Sequence, residues 1–204
     1  MMLLVLILLP FLAATALVVF RPDKSARTIA IGTSLVCTML VLLEWLKFQP
    51  GSEVVGIAHD WIPAWGLRLT QGYDGTGLLF LLLTAIIFPF IIGAGFKQEA
   101  DRPALFNALL LFTQSALFGV FSSQNAFLFY IFYELSLVPL FFLLLFWGGE
   151  RRRQVTMRFF IYTLLGGLAL LFGIAYCVVQ EPSHSADFSA LHALRLPVDT
   201  QGGL

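Results

Sequence analysis

Six stretches of about twenty predominantly apolar residues follow one another along this chain of 204 residues. At 1.5 Å of rise per residue, each is long enough to cross a hydrocarbon core of about 30 Å as a helix. Hydrophobic residues make up 59% of the chain and charged residues 12%, a balance that belongs to integral membrane proteins rather than soluble globular domains. In lipid, every backbone amide and carbonyl needs a partner within the protein. The fold class follows: an all-α, polytopic transmembrane bundle of six spans. Formal net charge is zero, so bulk electrostatics supply no attraction for nucleic acid or for a charged lipid surface.

Met1–Phe20 is the first span. Ala14-Thr15-Ala16 imitates a signal-peptide cleavage site, but no basic residue precedes it, and the positive charges of Arg21–Arg27 follow it instead. Thr28–Phe48 is the second span. Glu44 and Lys47 stand three apart near its end, the spacing of a local ion pair, and Trp45 suits the interfacial aromatic belt. Residues 49–73 form the longest internal non-spanning stretch, where alternation allows a short strand at 65–69. His59 and Asp60 in that stretch lack further candidate ligands nearby and read as structural.

Asp74–Phe96 is the third span, with Asp74 as its cap and Pro89 as a kink. Pro103–Ser123 is the fourth, Asn125–Trp147 the fifth and Met157–Val179 the sixth. Gly166 and Gly167 in the sixth are expected to permit close helix approach. Cys37 and Cys177 lie in apolar runs and read as packing residues, too few to ligate an iron–sulfur cluster.

Positive charge is retained on the cytoplasmic side of a membrane. With the N-terminus outside, nine of the twelve basic residues fall in cytoplasmic loops: Arg21, Lys24, Arg27, Lys97, Arg102, Arg151–Arg153 and Arg158. Lys47, Arg68 and Arg195 remain outside. This count predicts both termini on the outer, periplasmic side.

Within the fifth span, Glu134 lies deep in an apolar helix. Inserting an acidic side chain at mid-membrane costs roughly 2.5–3.5 kcal/mol, so such a residue is a functional candidate by default. Withdrawal from water disfavours the charged form of a carboxylate, as a group that holds and passes a proton requires. Pro139 has no amide hydrogen to offer the carbonyl of Leu135, which loosens the backbone next to the acid. Tyr130, one turn before Glu134, supplies the single hydroxyl on its helix face. Gln114 and Ser115 of the fourth span fall at about the same depth as Glu134, as hydrogen-bond partners or as polar glue between helices. None of the spans contributes a buried lysine.

The segment YELSLVPLFFLLLFWGG, followed by a basic loop and RFFIYTLLGGLALLFGI, closely resembles the antiporter-like M subunits, chain 4 type, of bacterial NADH-quinone oxidoreductase, respiratory complex I. HDWIPAWGLRL and YDGTGLLFLLLTAIIFPF are similar to the outer loop and third helix of those subunits, and ADFSALHAL to the loop after the sixth. The resemblance runs from Met1 to about Leu194. E-L-S-L-V-P with the later F-F-I-Y-T sets it with the M subunits rather than their L and N relatives.

The resemblance implies that Glu134 matches an essential intramembrane acid of proton translocation, paired with a lysine two helices on. It also implies a fold of about fourteen helices containing two inverted repeats. The chain then reads as an N-terminal portion. Residues 1–96 are three N-terminal helices with the outer loop at 49–73, residues 97–179 are the first three helices of the first repeat, and residues 180–204 are an outer loop cut short.

The expected setting is a bacterial inner membrane, among lipid and other membrane-arm subunits. NADH, FMN, iron–sulfur clusters and quinone belong to partner subunits, with no metal, cofactor or redox chemistry in this chain. Two alternatives stand beside this reading. One is the homologous subunit of a membrane-bound hydrogenase or a multi-subunit sodium/proton antiporter. The other is a non-transporting structural chain in which Glu134 is a hydrogen-bonded packing residue.

Overall fold

A computed structural model of the chain describes residues 2–49, 51–52, 54–62, 67–95, 101–182 and 184–194. Helix α1 spans Met2–Phe20 and α2 Ala26–Lys47, followed by strands β1 (Val54–Ile62) and β2 (Leu67–Tyr73). Then come α3 (Gly75–Ala94), α4 (Pro103–Ser122), α5 (Ala126–Trp147), α6 (Arg152–Gln180) and a short α7 (Phe188–Ala193). Six of these helices, α1 to α6, are long and apolar enough to cross a membrane.

The expectation of an all-α chain needs correcting, because the stretch between α2 and α3 is an antiparallel hairpin. Val54 pairs with Tyr73 and Ile62 with Leu67, with two register shifts between. Alternation in the sequence allowed a strand at 65–69, and residues 67–69 do lie in β2. Its partner was missed: the β-branched start of β1, Val54-Val55, became a strand only by pairing with a segment more than ten residues away. Trp65 and Gly66 fall outside the described residues, as do 97–100 of the polar loop and Arg195. The basic run after α5 also differs from expectation. Arg152, Arg153 and Arg158 are helical, forming the first turns of α6, since arginine and glutamine are good helix formers whose long side chains reach polar surroundings without unwinding the backbone.

Helix α4 is the centre of the bundle and touches α1, α2, α3 and α5. Its membrane-length stretch has the lowest hydropathy of the six, and it is the most buried. Those properties belong together: polar side chains in a bilayer turn inwards, where small and hydrogen-bonding groups hold helices together. Asn107, Gln114, Ser115 and Ser122 are all buried on α4. Most of them bond to backbone, with Asn107 donating to Pro103 O (2.8 Å), Ser122 to Phe118 O (2.7 Å) and Ser115 to Ile7 O of α1 (2.7 Å). Helix α6, by contrast, packs mainly against α5 and leaves large apolar side chains such as Leu165 and Phe172 exposed.

The hairpin end of the bundle is a backbone-linked cap. Gln124 N–H donates to Thr70 O (2.9 Å), Ala126 N–H to Ala186 O (2.8 Å) and Phe188 N–H to Gln124 O (2.9 Å). Thus β2, the α4–α5 connection and the segment before α7 lie side by side. Asp187 joins them through side chains, accepting from Asn125 Nδ2 (3.0 Å) and lying 3.6 Å from Arg68 Nη1. Asp74 caps α3 as expected, its Oδ1 accepting from Gly77 N–H at 2.7 Å.

Glu44 does not form the ion pair with Lys47 suggested by their spacing. Its carboxylate accepts from the Tyr73 hydroxyl instead, because β2 returns Tyr73 to the end of α2, where the ring is buried. Burial, then the Glu44 carboxylate, raises the Tyr73 phenol above its ordinary value. A raised folded-state value stabilises the protonated phenol, so this contact contributes fully below about pH 10 and is lost as pH climbs higher. Tyr73→Phe is expected to lower stability by about 1–3 kcal/mol. Thermal midpoints measured against pH should fall at alkaline pH more steeply in the parent protein than in the variant.

Candidate functional site

The site is built on α5, and the local sequence fixes where that helix begins. Asn125 precedes it in extended conformation, fully buried, with its side-chain oxygen accepting from Phe127 N–H (3.1 Å) and Leu128 N–H (3.3 Å). Two otherwise unpaired amides are satisfied in this way. Asp187 holds the Asn125 amide from the other side, so the cap fixes the start of α5.

Glu134 lies near the middle of α5. Its Oε1 is buried and has no hydrogen-bond partner. Tyr130, one turn earlier on α5, carries its hydroxyl close to the same carboxylate. Pro139, buried inside α5, follows just over one turn later, and its missing amide leaves the Leu135 carbonyl without its helical donor. Ser136, between acid and proline, donates back to Tyr133 O (2.7 Å).

Glycines on the two neighbouring helices make room for this face of α5. On α6, Gly167 is buried, and a Cβ there would overlap Glu134 Oε1, lying 3.2 Å from Glu134 Cδ and 3.7 Å from Tyr133 Cε1. Gly166 next to it faces open space. On α4, a Cβ at Gly119 would overlap the ring of Phe132. Helix α5 is therefore seated between two glycine notches, one receiving a phenylalanine and the other the carboxylate. The sequence signalled close approach at Gly166-Gly167 without saying which glycine is used or what it meets.

Gln114 and Ser115 do not join Glu134. Ser115 is committed to Ile7 O of α1, and both polar atoms of the Gln114 side chain are buried without a partner. For Ser115 the bond to α1 is the reason, and for Gln114 it is the helix face. At about 100° per residue, Gln114 points roughly 140° away from Gly119, the residue that faces α5. Tyr130 and Glu134 thus share one face of α5, with Pro139 just over one turn further along the same helix, whereas Gln114 and Ser115 are buried on α4, the latter bonded to α1. Asp187, the side chain that ties Asn125 to Arg68, was not singled out in the sequence. An aspartate standing directly before FSALHA was the available signal, since such a residue commonly begins a helix.

Among the described residues, no group of three or more histidine, cysteine, aspartate and glutamate side chains is placed to hold a metal ion. Cys37 is buried on α2 and Cys177 half-buried on α6, both as free thiols.

Comparisons with known proteins converge on one family. Residues 123–196 match the family model described as NADH:quinone oxidoreductase/Mrp antiporter, TM, a segment that contains the whole of α5 and α6. The F(420)H(2) dehydrogenase subunit M of Methanosarcina mazei is 36% identical over 171 residues, covering 83% of this chain and 34% of that protein. NADH-quinone oxidoreductase subunit M of Rhodobacter capsulatus is 30% identical over 195 residues, covering 93% of this chain and 38% of that protein. The chain spans about a third of the length of these curated relatives. In fold it is similar to a chain of respiratory complex I from Thermus thermophilus, with a TM-score of 0.83 at 24% identity, covering 97% of this chain and 40% of that one. Residues 123–196 therefore carry the membrane domain of the NADH:quinone oxidoreductase and Mrp antiporter family, and over most of its length the chain is similar to proteins named subunit M or chain 4.

Proposed function

We propose that this chain contributes an intramembrane proton relay to a proton-pumping NADH-quinone oxidoreductase, with Glu134 as the group that takes and gives the proton. The observation that carries the proposal is the state of Glu134: a carboxylate oxygen inside a membrane helix, buried, unpaired, and accommodated by a glycine on the next helix. A packing residue at that depth would be expected to have its oxygens satisfied by fixed donors. A relay needs an oxygen left open to a changing partner. Tyr130 provides a neighbouring hydroxyl, and Pro139 a loosened turn beside it.

The proposal includes the setting. The chain lies in a bacterial inner membrane with both termini outside, bounded by lipid and other membrane-arm subunits. Its first 96 residues form an N-terminal unit, and 97–179 the opening helices of an antiporter-like repeat. NADH, FMN, iron–sulfur clusters and quinone reside in partner subunits. Two cysteines on separate helices do not make a cluster ligand set in this chain. A second reading is favoured by the family description, which joins oxidoreductase subunits with Mrp antiporters: the same carboxylate would then serve sodium/proton exchange, or a complex using another electron donor.

Gly167→Ala and Gly166→Ala test the proposal as a pair. In the assembled complex, alanine at Gly167 has to displace the Glu134 carboxylate, whereas alanine at Gly166 meets nothing within 4 Å. Overpacking of this kind costs about 1–3 kcal/mol, equivalent to roughly a 5- to 150-fold shift in the population of the working arrangement. Proton uptake into membrane vesicles during electron transfer should fall at least severalfold for Gly167→Ala and stay near the parent value for Gly166→Ala. Equal pumping by both variants would mean that the position of the carboxylate is immaterial, and the relay assignment would fail.

A further inference from the structure

The bundle interior is divided into two apolar clusters. One contains Ile7 of α1, Cys37 of α2, Ala85 of α3 and Phe118 of α4. The other contains Ala14, Ala30, Ile92 and Leu111 of the same four helices. Each helix therefore passes from one cluster to the other at a common level. The residues at that level are Pro10 on α1, Ser34 on α2, Phe88 and Pro89 on α3, and Gln114 with Ser115 on α4.

This layer is chemically unlike the clusters on either side. Gln114 and Ser34 are both fully buried. Ser34 Oγ, Gln114 Oε1 and Gln114 Nε2 all lack a hydrogen-bond partner. Polar atoms in and beside this layer that can reach a partner have taken one. Pro89 removes the amide that would bond the Ala85 carbonyl, and the Thr38 hydroxyl donates to that carbonyl instead, at 2.6 Å. Ser115 donates across to Ile7 O.

We propose that Gln114 and Ser34 form a mid-membrane binding site for ordered water within the interior of α1 to α4. An unpaired amide or hydroxyl buried in an apolar medium costs about 1–3 kcal/mol each, and a bound water relieves several such groups together. Buried waters commonly make about three hydrogen bonds, and the layer offers three open atoms: two acceptors and donors on the Gln114 amide and the Ser34 hydroxyl. The site is separate from Glu134, because Gln114 and the α5-facing Gly119 occupy different faces of α4. It accounts for a polar residue of α4 that the carboxylate site does not use.

An electron-density or cryo-EM map of the assembled complex decides the matter, read at a resolution where ordered waters are visible elsewhere in the complex. A solvent peak should lie at about 3 Å from the Gln114 amide, bridging it towards Ser34, and it should be lost in Gln114→Met. If Gln114→Met does not assemble, loss or displacement of the peak in Ser34→Ala serves instead. A dry layer in the parent map, with the Gln114 amide bonded directly to protein atoms, overturns the proposal. So does a peak that survives unmoved in the variants.

Discussion

Glu134→Gln in the assembled complex is expected to leave electron transfer to quinone running while proton pumping collapses by at least about tenfold, the effect of losing one positioned acid–base group. The amide keeps the volume of the carboxylate and still fits against Gly167, so helix packing gives no reason for the change. It cannot release a proton, which removes the one property the relay uses. Glu134→Asp retains that property but withdraws the carboxyl group from the Gly167 notch by one methylene, and should pump at an intermediate level. Measuring quinone reduction and vesicle acidification on the same preparation separates the alternatives. A structural role predicts that both activities survive in Glu134→Gln or that both disappear with failed assembly. Loss of pumping with electron transfer retained is the signature of transport.

The second large effect is expected at Gly119→Ala. This substitution places a methyl group on the Phe132 ring, at the contact that seats α5 against the central helix. In a packed interior, such an insertion costs about 1–3 kcal/mol, and the thermal midpoint of the complex should fall accordingly. Phe132→Leu frees space on the opposing helix. The double variant should therefore be less destabilised than the sum of the two single changes, a coupling that a four-way comparison measures. Additive effects would show that the glycine serves some other purpose. Because Phe132 and Glu134 are two residues apart on α5, a shift at the α4 notch should also reduce pumping, and the Phe132→Leu background should restore part of it.

The six spans were legible because the length of an apolar run is a one-dimensional property. No knowledge of neighbours is needed to see that Asn125–Trp147 can cross a bilayer, or that Asp74 stands where a helix needs a cap. The hairpin was only half legible, since β2 carries its own alternation while its pairing with β1 depends on contact between distant residues. Glu134 stood out for the same reason as the spans: a charge in an apolar helix is expensive whatever surrounds it. Its surroundings were less accessible. Depth could be counted from helix ends, which grouped Gln114 and Ser115 with the acid, but helix rotation depends on packing and turned Gln114 away from Gly119, while Ser115 bonds to α1. The Glu44–Lys47 spacing was likewise a local signal overruled by a distant one, when Tyr73 arrived from β2.

The central claim is that Glu134 changes its protonation during turnover. Infrared difference spectroscopy on the assembled complex tests it most directly, comparing resting and reduced states in ordinary and heavy water. The account predicts a carboxyl band that appears or shifts on reduction, moves in heavy water, and is missing in Glu134→Gln. A difference spectrum identical in the parent and Glu134→Gln would show that this carboxyl does not exchange a proton and would contradict the account.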